Sequence, residues 1–168
     1  MPITPTTPPA NTIINTPSTI IVGSDHAGYA LKAHLVDCLK RWGWQVLDVG
    51  CTSETDKVDY PNISQALAVA MQEQDTPWGL LTCGSGVGIM MGANRFPWVR
   101  AVHAHDATLA KLSREHNNSN VLCMGGRFVA PAYAEMILEQ WLNTPFEGER
   151  HEGRVELLGN LSVIRPQS

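Results

Sequence analysis

Thr82-Cys83-Gly84-Ser85-Gly86-Val87-Gly88 sets a thiol at the end of an apolar run, with three glycines at alternate positions behind it. A thiol does chemistry as its thiolate, and backbone N–H groups laid bare by glycines favour that anion and can meet a second one. Trp78-Gly79-Leu80-Leu81-Thr82 reads as a buried strand, so Cys83 falls at a strand's carboxyl end, at the mouth of an anion cradle. Ser85 adds a hydroxyl there. Two readings compete at this point. Free cysteine is often a small buried hydrophobe, and glycines after a strand can serve packing alone. The functional reading makes Cys83 a base beside preorganised donors. The spacing is not the G-x-G-x-x-G of a dinucleotide site, and no Walker loop is present.

Other polar residues gather near strand ends. Asp25-His26 follow a strand and precede a helix, so Asp25 is an N-cap, half of a carboxylate–imidazole pair at the site mouth, or both. Arg114-Glu115-His116-Asn117-Asn118-Ser119-Asn120 reads as a polar loop entering a strand. Such a loop needs no function, yet a His-Asn pair suits proton transfer to a sugar oxygen. Glu149-Arg150-His151-Glu152-Gly153-Arg154 carries two arginines four apart, which on a helix share a face and can grip one phosphate. A solvated charged face is the alternative. Arg127 adds a further guanidinium, and the arginines together point to a small anionic ligand. His103 and His105 share one side of an extended segment, but no third ligand joins them at metal-site spacing, and no metal or cofactor is expected. Cys38 and Cys123 read as core, and Cys51 as a loop thiol without a role.

The elements that must position these residues follow from periodicity. Thr19 to Gly23 is strand-like, and Ala27, Ala30, Leu31, His34, Leu35, Cys38, Leu39 and Trp42 recur at three and four residues, as one helix face does. Strands over 44–49, 78–83, 99–103 and 120–124 alternate with helices around 63–71, 87–94, 106–114 and 131–143. This pattern predicts an α/β fold: a three-layer α/β/α, Rossmann-like arrangement with a five-stranded parallel sheet. Ligands in such sheets bind beyond the carboxyl ends of the strands.

With 168 residues, 43% hydrophobic and 17% charged, the chain holds one full core rather than two. A net charge of −4 disfavours nucleic acid, which attracts basic fields. The four cysteines form no C-x-x-C pair, there is no membrane span or secretory leader, and a soluble cytoplasmic protein with reduced thiols is expected. Residues 1–18, rich in Pro and Thr, predict a flexible arm, since they cannot bury enough apolar surface to form a core element. The domain is expected over 19–159 and a short tail over 160–168.

Taken in order, Gly23-Ser24-Asp25-His26-Ala27-Gly28, Asp59-Tyr60-Pro61, Cys83 to Gly88, Arg114 to Val121, Gly126-Arg127 and Arg150-His151-x-x-Arg154 resemble the type B ribose-5-phosphate isomerases, grouped with galactose-6-phosphate and allose-6-phosphate isomerases. The resemblance covers roughly residues 19 to 158. It implies interconversion of ribose 5-phosphate and ribulose 5-phosphate through an enediolate, in the non-oxidative pentose phosphate pathway, without metal. By position it implies Cys83 as the base between C2 and C1, with the amides of Gly84, Ser85, Gly86 and Gly88 on the oxyanion. It further implies His116 as the ring-opening residue with Asp25 as its proton partner, and Tyr60 and Asn117 on the sugar. Arg127, Arg150 and Arg154 would hold the phosphate, with His26 and His151. One branch of the family carries a glutamate in place of this thiol; here Cys83 is kept and Ile89 follows Gly88. The resemblance also implies a homodimer with shared sites, in some members a tetramer. Hexose 6-phosphate isomerisation and non-catalytic sugar-phosphate binding are the alternatives.

Overall fold

The computed structural model describes residues 18–161, so the expected N-terminal arm, Ser18 apart, and all but the start of the expected tail lie outside the described residues. From Ser18 onward strands and helices alternate. β1 is Thr19–Ser24, α1 Tyr29–Arg41, β2 Gln45–Asp48, α2 Tyr60–Glu73, β3 Gly79–Cys83 and α3 Val87–Ala93. Then follow β4 Ala101–His103, α4 Ala107–Asn117, β5 Val121–Gly125, α5 Pro131–Leu142 and α6 Glu152–Gly159. The strands form one parallel sheet in the order β2-β1-β3-β5-β4.

Alternation along each central strand splits the core into two layers, because successive side chains point to opposite faces. Ile20, Val22, Leu80, Leu122 and Met124 pack against α1, α4 and α5, with Trp141 fully buried among them. Ile21, Leu81, Cys83, Val121 and Cys123 face α2 and α3. Cys83 therefore belongs to the α2/α3 layer, at that layer's upper rim. The chain moves outward from β1 to β2 and then returns to β3, so the loops after β1 and β3 diverge and leave a crevice at the carboxyl end of the sheet.

Two sequence expectations change. The stretch from Arg114 to Asn120 is not a loop: α4 continues through Asn117, and Asn118 ends it at φ 47°. The reason is Arg114. Its guanidinium is buried, donates to the carbonyls of Thr144 (3.2 Å) and Ser119 and to Asn118 Oδ1 (2.9 Å), and lies 4.8 Å from the Trp78 ring centroid. A guanidinium that satisfies carbonyls and stacks on an aromatic face extends the helix instead of breaking it. Desolvation, followed by the Arg100 charge, lowers its pKa to about 10, leaving it cationic at neutral pH. The second change concerns Glu149 to Arg154, which is a 3-10 turn at Glu149–His151 running into α6, so Arg150 precedes the helix and Arg154 lies within it. Both arginines are exposed, and α6 buries none of its residues. Cys51 lies in the loop after β2 as expected, and is buried there with Sγ 3.5 Å from Ser24 Oγ.

Candidate active site

At the carboxyl end of the sheet the crevice collects most of the expected residues. Asp25 caps the 3-10 turn His26–Gly28, its Oδ1 accepting the Gly28 N–H at 3.0 Å, which holds the turn against β3. Thr82 Oγ1 donates to the Gly28 carbonyl at 2.9 Å and ties the two loops together. A side chain at Gly28 would stand 2.4 Å from the Thr82 carbonyl carbon, so only glycine permits that approach. Cys83 is 4% exposed, and its Sγ accepts the Gly86 N–H at 3.1 Å. Gly86, at φ +83°, turns the chain from β3 into α3. The amides that open α3 have no intrahelical carbonyl to bond and remain the natural donors to a ligand's oxygen. Ser85 is exposed on the turn, and its Oγ accepts from the Val87 N–H at 3.3 Å. Tyr60, the first residue of α2, lays its ring over Gly88, where a Cβ would meet it at 2.9 Å. Arg127 is exposed; its Nη1 lies 3.4 Å from where a Gly84 Cβ would be, and its N–H donates to the Gly84 carbonyl at 3.1 Å.

His116, Asn117, Arg150, His151 and Arg154 are elsewhere. Crossover helices run antiparallel to the strands they connect, so the last turn of α4 lies at the amino end of the sheet. Contacts there confirm it. Arg100, just before β4, donates from Nε to the Asn118 carbonyl at 2.8 Å, and Arg114 covers Trp78, just before β3. His116 and His151 stack with ring centroids 4.5 Å apart and planes 15° apart. Glu147 sits between them, Oε2 lying 3.9 Å from His116 Nε2 and 3.6 Å from His151 Nε2. Burial, then the Arg150 and His116 charges, hold the His151 pKa below the usual imidazole value, with Glu147 opposing. The donor atoms of His116, Glu147 and His151 lie within 4.8 Å of one another, a set able to take a cation or relay a proton. Asp25 and His116, expected as proton partners, are at opposite ends of one chain.

Each half leaves one imidazole nitrogen wanting. Among the described residues, His26 Nδ1 and His151 Nε2 are the buried side-chain nitrogens or oxygens without a hydrogen-bond partner. A buried polar atom without a partner is costly and marks where a ligand's polar group belongs.

The sequence pattern of the ribose/galactose isomerases matches residues 20–158, nearly all of the described chain. The chain belongs to the ribose/galactose isomerase family. It is 41% identical over 139 residues to ribose-5-phosphate isomerase B of Escherichia coli, spanning 83% of this chain and 93% of that protein. It is 39% identical over 136 residues to a probable ribose-5-phosphate isomerase B of Mycoplasma pneumoniae, spanning 81% and 90%. The solved ribose-5-phosphate isomerase B of Clostridium thermocellum superposes with a TM-score of 0.81 at 39% identity, covering 84% of this chain and 95% of that one.

Two residues, one at this isomerase's crevice and one at its opposite pole, take places to which the sequence assigned no role. His103 ends β4, and its Cδ2 stands 2.7 Å from where a Gly86 Cβ would be, so the ring braces the turn. Burial, then His105, lower its pKa, a hydrogen bond with the Ser85 backbone opposing them. In sequence it stands beside His105 without a third ligand, whereas the fold sets it against the glycine turn. Glu147 carries no local signal at all. Only the packing of the segment after α5 on α4, through the Glu147 N–H to the Glu115 carbonyl at 3.1 Å, brings it to His116.

Proposed function

We propose that this isomerase interconverts D-ribose 5-phosphate and D-ribulose 5-phosphate through a cis-enediolate, as a step of the non-oxidative pentose phosphate pathway. The observation that carries the reading is Cys83 at the end of β3, with its sulfur on the Gly86 N–H and the open glycine turn beside it. A proton next to a carbonyl is weakly acidic, so its removal needs a base and, adjoining it, fixed donors for the oxygen that becomes negative. The Cys83 thiolate takes the proton from C2 and returns it to C1. The amides over 84–88 meet the enediolate oxygens, and Ser85 Oγ carries the proton between O1 and O2. His116 delivers a proton to the ring oxygen while Asp25 takes one from the anomeric hydroxyl, which opens the furanose. Tyr60 and Asn117 orient the sugar. Arg127, Arg150 and Arg154 hold the phosphate, and His26 Nδ1 and His151 Nε2 gain the partners they lack.

One chain cannot do this alone, and we infer a homodimer in which the carboxyl-end half of one subunit closes on the amino-end half of the other. A two-fold axis pairs unlike halves twice, giving two whole sites. Exposed apolar side chains flank both halves: Phe128 (77%) and Met91 (62%) at one, Leu157 (68%) and Leu161 (74%) at the other. Cysteines at 38, 51, 83 and 123 are all unpaired, which fits the reducing cytoplasm. No described helix is long and apolar enough to cross a membrane.

Cys83→Ala should abolish isomerisation of ribose 5-phosphate while the sugar phosphate still binds, measured by coupled assay and calorimetry. Retained turnover would refute the base. Activity confined to allose 6-phosphate would refute the pentose.

A further inference from the structure

A second cluster of reactive side chains lies between α1 and α5, and none of its members belongs to either half of the site. His34 and Cys38 are four residues apart on α1 and therefore share a face. Glu135 reaches them from α5. His34 Nε2 is 3.7 Å from Cys38 Sγ and 3.4 Å from Glu135 Oε2, and the three donor atoms all fall within 4.8 Å of one another. With zinc–sulfur bonds of about 2.3 Å and zinc–nitrogen or zinc–oxygen bonds of about 2.1 Å, a tetrahedral zinc ion separates sulfur from nitrogen by about 3.6 Å and nitrogen from oxygen by about 3.4 Å. The observed edges match both. A cation already borders the triangle: Arg41 Nη2 lies 3.0 Å from Cys38 Sγ and 3.4 Å from Glu135 Oε1. Its side chain is 51% exposed, so it can withdraw into water when another cation enters. His34 and Glu135 are partly exposed, 36% and 28%, and give an ion its way in, while Cys38 lies fully buried beneath them.

We propose that His34, Cys38 and Glu135 bind a borderline-soft divalent cation of the Zn2+ type, with water in the fourth position, and that the ion cross-links α1 to α5. Thiolate, imidazole and carboxylate together suit such an ion better than Mg2+ or Ca2+, which prefer oxygen alone. Binding exchanges the Cys38 thiol proton, released to solvent, for the metal–sulfur bond, and Arg41 gives up both of its partners. Burial and the Glu135 carboxylate push that thiol up to about 11, against the opposing Arg41 charge. His34 and Arg41 on α1 and Glu135 on α5 are the charged or titratable groups facing it.

The test uses the full chain and Co2+ as the probe, followed by competition with Zn2+. The expected result is a saturable near-ultraviolet charge-transfer band of one thiolate that Zn2+ abolishes. Cys38→Ala should lose the band, and His34→Ala and Glu135→Gln should each weaken Co2+ binding by about tenfold or more, since each removes or neutralises one ligand. His34→Ala should keep its circular dichroism and its isomerase turnover, which separates loss of the ion from loss of the fold. Cys83→Ala should keep the band. Absence of a saturable band in the wild-type chain overturns the site, as does its survival in Cys38→Ala, unchanged affinity in His34→Ala, or its loss in Cys83→Ala.

Discussion

If the two halves of each site come from different subunits, two dead variants should revive one another. Cys83→Ala removes the proposed base at the carboxyl end of the sheet, and His116→Ala removes the proposed ring-opening acid at the amino end. The separation follows from the helix between them: α4 has 11 residues, which at about 1.5 Å each span about 16 Å. Proton transfer needs donor and acceptor within about 2.6–3.2 Å of the atoms they serve. Cys83 and His116 of one chain therefore cannot serve the same sugar. In a mixed dimer, one site combines both substitutions and the other combines neither. Random exchange of equal amounts makes about half of the dimers mixed, each with one whole site of two, so about a quarter of wild-type turnover should return. Each variant alone, lacking its acid or base, should fall about a hundredfold or more in kcat. The assay is ribulose 5-phosphate formation after the two variants are co-refolded at known ratios. A companion experiment mixes wild-type chains with the double variant Cys83→Ala/His116→Ala. Shared sites then leave about a quarter of wild-type turnover per dimer, whereas sites within one chain leave about half. Failure of the first mixture to rise above its parents, with half-activity in the second, would refute the divided site.

Other perturbations test other steps. Gly86→Ala places a Cβ at φ +83°, 2.7 Å from His103 Cδ2 and from the Met124 carbonyl carbon, so the turn must shift. Displacing one well-aimed donor costs about 3–4 kcal/mol, and kcat should drop about a hundredfold or more with the fold intact by circular dichroism; near-normal kcat would show that the turn is not the oxyanion cradle. Arg154→Ala should chiefly raise KM, because a phosphate is held alike in substrate and transition state; a loss confined to kcat contradicts that role. The Cys38 thiol, pushed up from 9.0 to about 11, contributes stability that is full below pH 9 and is lost as pH rises through about 11. Urea midpoints of the metal-free protein should accordingly fall more between pH 9 and 11 for the wild-type chain than for Cys38→Ala, and parallel declines would contradict that shift.

Much of this molecule is local in origin and hence legible in the chain. The apolar run from Trp78 to Thr82 marked a buried strand, and the three- and four-residue recurrence from Ala27 to Trp42 gave a helix that packs Leu31, Leu35 and Leu39 inward. Asp25 as a cap and the glycine turn after β3 follow from side-chain and backbone chemistry within a few residues. Arg114 shows where local reading ends. A run of polar residues looks like a loop until the burial of a guanidinium over Trp78, thirty-six residues earlier in sequence, is known.

The sequence by itself determined which groups this isomerase owns: a thiol beside glycines, imidazoles, carboxylates and arginines in a fixed order. Tertiary structure decided their grouping. Cys83 ends a strand and His116 ends a helix that runs back along the sheet, so residues that read as one constellation stand at opposite poles of one subunit. His103 and Glu147 join their respective halves only because distant segments pack there. Order along a chain carries chemistry, whereas distance depends on the direction each element runs and on what it packs against.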